Sequence, residues 1–335
     1  MARLVVSSRP VLGVFPTREN EKMRMMLPST AKQGRYRLDA CIAGGQTYSR
    51  VYQGLDTTDG SVVAIKQAKR DALSPRQCRF ADRLFQREAA MLAELHHPGL
   101  PCLRDVFEEQ GVLHLVMEYI EGETLQQRLD RLRRSGKCLS LDESLFIGTQ
   151  LCSILAYLHG QTPPVIHRDL KPANVILGPG SRIYLIDFSI ARRFTQSAAH
   201  LLVTPNLRQA RGLDTIYNVG SRGYAPREQY GEAASTSPPA DIYGLGALLH
   251  YLLSGVDPAT RPIARLFAFA PLRLSHLPEG FSLATLIARM TESEPARRPT
   301  MSDVRETLEA CSNRKTGWNE EIPTSQTTSI SVEAW

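Results

Sequence analysis

His167-Arg168-Asp169-Leu170-Lys171-Pro172-Ala173-Asn174 places five polar or charged side chains between two apolar runs, residues 164–166 and 175–177. Polar groups at the edge of a packed interior are costly unless each is paired or used. A similar anomaly lies downstream: Asp187 follows Ile183-Tyr184-Leu185-Ile186 and therefore ends a strand with the composition of a buried one. Two more stand upstream. Glu88 lies between Leu84 and Met91 on the apolar stripe of a helical pattern, and Lys66 closes the aliphatic run Val63-Ala64-Ile65. Either residue alone could snorkel to water, but an inward lysine and an inward glutamate together are most economically explained as partners.

Around these charges the pattern changes from strands to helices. Residues 36–41, 50–54 and 62–66 alternate or are β-branched, with Asp59-Gly60 as a turn, and 103–107 and 112–119 fit two more strands. Between them, residues 79–95 put Phe80, Leu84, Met91, Leu92 and Leu95 on one helical face. Beyond Gly122, Ser140 and Glu143 form a capping-box pair ahead of the stripe Ile147, Leu151, Ile154, Leu155 and Leu158. Residues 240–254, 283–290 and 302–310 also fit helices. The expected fold is α+β and two-lobed: residues 35–120 form a small β-rich N-lobe with one helix, and 121–311 a larger, mostly α C-lobe. A connection at 117–122 and a cleft between the lobes follow, and such clefts commonly take ligands. Residues 1–34 carry Pro10, Pro16 and Pro28 without a sustained period and read as a poorly ordered extension, within which Met23, Met25 or Met26 could be the start. Residues 312–335 read as a tail.

Composition sets the outer limits. The 335 residues are 42% hydrophobic and 22% charged, far from disordered or collagen-like extremes. Forty Lys and Arg against 34 Asp and Glu leave +6, spread thinly, so a nucleic-acid partner is not expected. The densest basic stretches, 131–137 and 192–211, read first as solvated faces. Six scattered cysteines without a C-x-x-C pair indicate neither a zinc site nor a disulfide framework. The longest apolar run, 242–253, is interrupted by His250 and is too short to span a bilayer. Arg9, Pro10 and Pro16 make the N-terminus a poor signal peptide, so a soluble, cytoplasmic protein is expected.

In order and spacing these charges resemble the catalytic set of the protein kinases, over residues 35–310. The resemblance implies an enzyme that moves the γ-phosphoryl group of Mg-ATP to a hydroxyl of a protein substrate. Lys66 would hold the α- and β-phosphates with Glu88 as its ion-pair partner, Asp169 would accept the hydroxyl proton, and Asn174 and Asp187 would bind Mg2+. The ATP site would comprise Ile42, Gly44, Gly45, Val51, Ala64 and Lys66, with hinge backbone at Glu118 and Ile120 after a gatekeeper Met117. Asp241 resembles the aspartate supporting the catalytic loop, and Arg298 the late arginine that pairs with Glu228; His97-Pro98 also stands in the family's place. Lys171 points to serine/threonine specificity and would contact the phosphoryl group in flight. Ser221 stands where the family usually has a threonine bonded to the catalytic aspartate. The run 220–228, with Tyr243-Gly244-Leu245-Gly246, most resembles bacterial members, so a bacterial source is expected.

Three departures are visible. Of the three glycines of the phosphate loop only Gly44 survives, Gln46 and Ser49 standing at the other two positions. Ser189 replaces the glycine after Asp187-Phe188, and Pro226-Arg227-Glu228 replaces Ala-Pro-Glu. These leave room for two other readings: a pseudokinase scaffold with little turnover, and a small-molecule phosphotransferase, which Lys171 and the run 220–228 disfavour. Arg168 beside Asp169 belongs, in this family, to members switched by phosphorylation of the activation segment. Thr195, Ser197, Thr204 and Thr215 are candidate acceptors, of which Thr215, six residues before Ser221, is favoured.

Overall fold

Val63 and Ile65 are wholly buried on one side of a strand whose other side carries Ala64, Lys66 and Ala68. That two-residue alternation organises the N-terminal half. The computed structural model describes residues 30–44, 48–70, 73–194, 220–230, 236–273, 280–312 and 331–332. Six antiparallel strands form one sheet: β1 (Thr30–Ala31), β2 (Tyr36–Gly44), β3 (Ser49–Asp56), β4 (Val62–Ala68), β5 (Leu103–Glu109) and β6 (Val112–Glu118), in the order β1-β2-β3-β4-β6-β5. Tyr36, Leu38, Tyr52, Val63, Ile65 and Val116 pack together on one face. On the other, Phe85 and Ala89 of α1 (Pro75–Glu94) pack on Ala68 and Leu115.

The helix α1 begins four residues earlier than the apolar stripe suggests. Ser74 accepts from the Gln77 N–H while the Gln77 side chain accepts from the Ser74 N–H, and Pro75 occupies the first turn. The start of the lobe also differs. Residues 30–34 were expected within a poorly ordered extension, yet Thr30 and Ala31 pair with Arg37 and Tyr36, Ala31 is buried, and Lys32 forms an ion pair with Asp105.

Beyond the crossing at Gly122, whose φ of +138° suits glycine alone, the chain is mainly helical. A Cβ at Gly122 would stand 2.1 Å from the Leu177 carbonyl oxygen, so the connection is pressed against the large lobe. There α2 (Leu125–Arg134), α3 (Leu141–His159), α4 (Pro239–Ser254), α5 (Gly280–Met290) and α6 (Met301–Cys311) enclose one large core. Helix α4 is buried from Ala240 to Leu253 and forms its axis. Short strands β7 (Glu123–Thr124), β9 (Val175–Gly178) and β10 (Arg182–Leu185) form a sheet in the order β10-β9-β7, and β8 (Val165–Ile166) pairs with β11 (Arg192–Arg193). Part of the expected tail is also strand: Ser331 and Val332 (β13) pair with Arg273 and Leu272 (β12).

Candidate active site

The cleft face of β4 carries Lys66, opposite Leu115 of β6 and Val51 of β3. Its ammonium meets both oxygens of Glu88, at 2.7 and 2.8 Å, and Oδ1 of Asp187 at 2.8 Å. Burial alone would lower the Lys66 ammonium; Asp187 and Glu88 outweigh it and hold its pKa above the ordinary lysine range. Asp187 is held well below the usual carboxylate range, because Lys66 and the Ser189 hydroxyl overcome the cost of burial. Glu88 is pushed up by burial, against the pull of Lys66, and accepts the Phe188 N–H at 3.3 Å.

Below this triad lies the octet His167 to Asn174. Its frame is Asp241 of α4, whose buried carboxylate accepts the N–H groups of His167 (2.9 Å) and Arg168 (2.8 Å) and bonds His159 Nε2 (2.9 Å). Those bonds keep Asp241 ionised despite its burial. His167 in turn accepts the Asp169 N–H at Nδ1 and donates from Nε2 to the Ile186 carbonyl, tying the catalytic loop to the strand end before Asp187. Its ring meets Phe188 edge-on at 5.0 Å.

Three donors converge on Asp169. Ser221 Oγ donates to Oδ1 at 2.6 Å, and Lys171 Nζ and Asn174 Nδ2 donate to Oδ2 at 2.7 and 3.0 Å. Lys171 also reaches Ser221 Oγ at 2.9 Å. The serine at 221 thus does what the expected threonine would do, because the bond needs only the hydroxyl. Asn174 spends Nδ2 on Asp169 and keeps Oδ1 as an acceptor, while Asp187 spends Oδ1 on Lys66 and Ser189. One amide oxygen and one carboxylate oxygen remain, and such hard oxygen donors suit Mg2+, which binds through few protein ligands together with phosphates and water.

The expected nucleotide residues lie along the same face or its rim. Ile42 is exposed; Val51 and Ala64 are half-buried, and Ala64 sits beside Met117 in register. Met117 packs against the large core, so it is a core methionine at the expected gatekeeper place. The Glu118 N–H donates to the Cys102 carbonyl at 2.8 Å, which leaves the carbonyl as the group Glu118 can offer an adenine; Ile120 is buried. At Gly44 the nearest protein atoms to a Cβ would be Arg50 Cγ at 3.4 Å and Cys41 Sγ at 3.6 Å, so the fold itself does not demand glycine there. Gly45, Gln46 and Thr215 lie outside the described residues, as do Thr195, Ser197 and Thr204.

The protein kinase domain pattern matches residues 40–308. The chain belongs to the protein kinase domain family. This kinase chain is 34% identical over 199 residues to "Serine/threonine-protein kinase B" of Synechocystis sp., covering 59% of the chain and 32% of that protein. It is 34% identical over 227 residues to "Probable serine/threonine-protein kinase PknB" of Lactococcus lactis, covering 67% and 32%. To "Serine/threonine-protein kinase pkn2" of Myxococcus xanthus it is 32% identical over 289 residues, covering 82% and 32%. The kinase chain thus spans about a third of the length of these three bacterial relatives. Among the described residues no helix is long and apolar enough to cross a membrane.

Three side chains of the site had no assigned part in the sequence reading. His159 is the last residue of α3, and its bond to Asp241 depends on helix packing across 82 residues. Ser189 was read only as a restriction on the backbone, but its hydroxyl donates to Asp187 at 2.7 Å. Arg192 was part of a basic stretch; pairing of β11 with β8 sets it near Arg168, and the two half-buried guanidinium groups repel. Burial and Arg192 push Arg168 down to about 10. Arg168 Nη1 reaches the Ile190 carbonyl at 3.4 Å and Arg192 Nη2 the Thr236 carbonyl at 2.6 Å, while Nε of each is buried and has no partner among the described residues.

Proposed function

We propose that this chain is a serine/threonine protein kinase that phosphorylates protein hydroxyls with Mg-ATP in the cytoplasm. The observation that carries the reading is the simultaneous closure of two networks: Lys66 with Glu88 and Asp187, and Asp169 with Lys171, Asn174 and Ser221. A scaffold has no need to keep an ammonium between two carboxylates across a cleft, where burying Lys66 and Glu88 is costly.

The division of labour follows from the donors and acceptors. Lys66 offers its ammonium to the α- and β-phosphates, and Glu88 fixes its position. Asp169 orients the acceptor hydroxyl and takes its proton, and Lys171 steadies negative charge on the moving phosphoryl group. Asn174 and Asp187 would hold Mg2+, which when bound would neutralise phosphate charge. A radiolabel transfer assay with a generic protein substrate, followed by phosphoamino-acid analysis, tests this. Asp169→Asn should lower transfer at least about 100-fold, since an amide cannot accept the proton. Equal turnover by the variant would remove Asp169 from the chemistry.

Regulation by an anion fits the same site. Arg168 and Arg192 form a half-buried pair of like charges whose Nε–H donors have no partner among the described residues, an arrangement that an activation-segment phosphate would complete. Phosphorylation at Thr215 is the proposed source. Phosphopeptide mapping after incubation with Mg-ATP, with Thr215→Ala beside the parent, tests it; an active, unmodified and unimpaired variant would refute it.

A further inference from the structure

The rim of the site next to Ser221 is positively charged. Arg222, immediately after the serine that bonds Asp169, is exposed and donates from Nη2 to the Arg261 carbonyl. Arg227, five residues on and also exposed, holds its guanidinium 4.8 Å over the Phe267 ring. Both arginines are therefore anchored on the segment 261–267 by neutral partners. Among the described residues neither has a carboxylate within ion-pair distance.

Among the described residues, two acidic groups of this surface are already engaged. Glu228 is bound by Arg298, and Asp257 accepts the Tyr224 hydroxyl at 2.9 Å and the Ala259 N–H at 2.9 Å. Tyr230 relates the rim to the chemistry: its ring meets Phe267 edge-on at 5.8 Å, and its hydroxyl is buried with no hydrogen-bond partner among the described residues. That hydroxyl feels the charges of both Asp169 and Arg222, so the arginine acts close to where an acceptor residue must lie. Arg261, half-buried and 4.3 Å over Phe269, adds a third cation.

We propose that this chain selects acceptor hydroxyls flanked by acidic residues, read by Arg222 and Arg227. The proposal rests on the kinase reading above and names its substrate class. Guanidinium groups fork onto carboxylates with two parallel bonds, and held on neutral partners they lose little freedom in doing so. Rim charges of this type steer encounter and select partners more than they add affinity.

Three peptides with one serine acceptor and flanking Glu, Ala or Arg separate the outcomes, each assayed for kcat/KM with the full chain. The Glu peptide should exceed the Ala peptide on the order of five- to tenfold, as two exposed pairs allow. That advantage should shrink as salt is raised from 0.05 to 0.5 M, estimates set by a Debye length that falls to about 3 Å near 1 M. The Arg222→Glu, Arg227→Glu double variant should reverse the order and favour the Arg peptide, a gain that misfolding cannot mimic. Should the double variant be inactive, the wild-type ranking and its salt dependence decide. Equal use of the three peptides, or preference for Arg by the wild type, overturns this proposal alone. No transfer to any peptide or to a generic protein overturns the kinase reading and this proposal with it.

Discussion

Ser189 Oγ donates to Asp187 Oδ1 at 2.7 Å, the same oxygen that takes the Lys66 ammonium at 2.8 Å. Asp187 has a φ of +66°, in the left-handed region, so its carboxylate is held by two side-chain donors while its backbone is in a sparsely populated conformation. The residue that departs from the family pattern is thus itself a positioning group for Asp187, the proposed Mg2+ ligand.

The first prediction follows from that bond. Ser189→Ala should weaken apparent Mg2+ affinity about three- to tenfold, the range for one hydrogen bond to a charged group that is partly open to solvent. Ser189→Gly should do the same while freeing the backbone. Steady-state rates across a Mg2+ titration check both, and an unchanged midpoint would show that Lys66 alone holds Asp187.

Lys66 and Glu88 should not be equivalent in mutation. Lys66→Ala leaves two carboxylates facing each other in a site where Glu88 is 1% exposed, so it should cost about 3 kcal/mol of stability and most of kcat/KM. Glu88→Gln leaves the ammonium with Asp187 and should be milder in stability, its effect falling mainly on turnover. Denaturant unfolding beside kinetics on both variants tests the order. Equal destabilisation would mean that Asp187 takes no share of the Lys66 charge.

Arg298 carries a third prediction, about the large lobe. Its side chain is fully buried and bonds both oxygens of Glu228 at 2.5 and 3.1 Å, together with the carbonyls of Glu292, Pro239 and Ser293. Arg298→Ala strands a carboxylate and three acceptors and should destabilise by about 3–5 kcal/mol. Arg298→Lys should recover only part, because an ammonium cannot match the planar fork. Thermal unfolding of the three proteins is the measurement.

The candidate site was legible because each of its charges is stranded among apolar neighbours, Lys66 after Val63-Ala64-Ile65 and Asp187 after Ile183-Tyr184-Leu185-Ile186. The two-lobed α+β outline was legible from periodicity for the same reason. What escaped was non-periodic or long-range. Strand β1 is two residues long and has no period to read, and α1 starts on a polar cap ahead of its first apolar residue. The Ser189 hydroxyl reaches its carboxylate through a backbone conformation that composition does not carry. Arg192 approaches Arg168 only through the pairing of two-residue strands, with Arg192 opposite Ile166.

His250 yields the last prediction. It lies inside α4, 1% exposed, with Nε2 donating to the Ala270 carbonyl at 2.9 Å and Nδ1 accepting from Ser254 Oγ at 3.2 Å. Both ring nitrogens are satisfied in the neutral form. Burial pushes its pKa down to about 4 from the model-compound 6.5, the Ala270 carbonyl opposing. Because the unfolded chain binds this proton more readily than the folded one, the neutral imidazole's contribution is complete above pH 6.5. It is lost progressively as the pH falls from 6.5 toward 4. At pH 5 the loss from this one residue is about 2 kcal/mol, and other groups add their own terms. His250→Gln keeps a donor and an acceptor without the titration. The variant should be less stable than the parent at pH 7.5, because its shape fits the cavity beside Phe269 less well. The gap should narrow by about 2 kcal/mol at pH 5. Parallel denaturant curves at the two pH values decide: a gap that stays constant would show that His250 takes up its proton as readily in the folded chain as in the unfolded one.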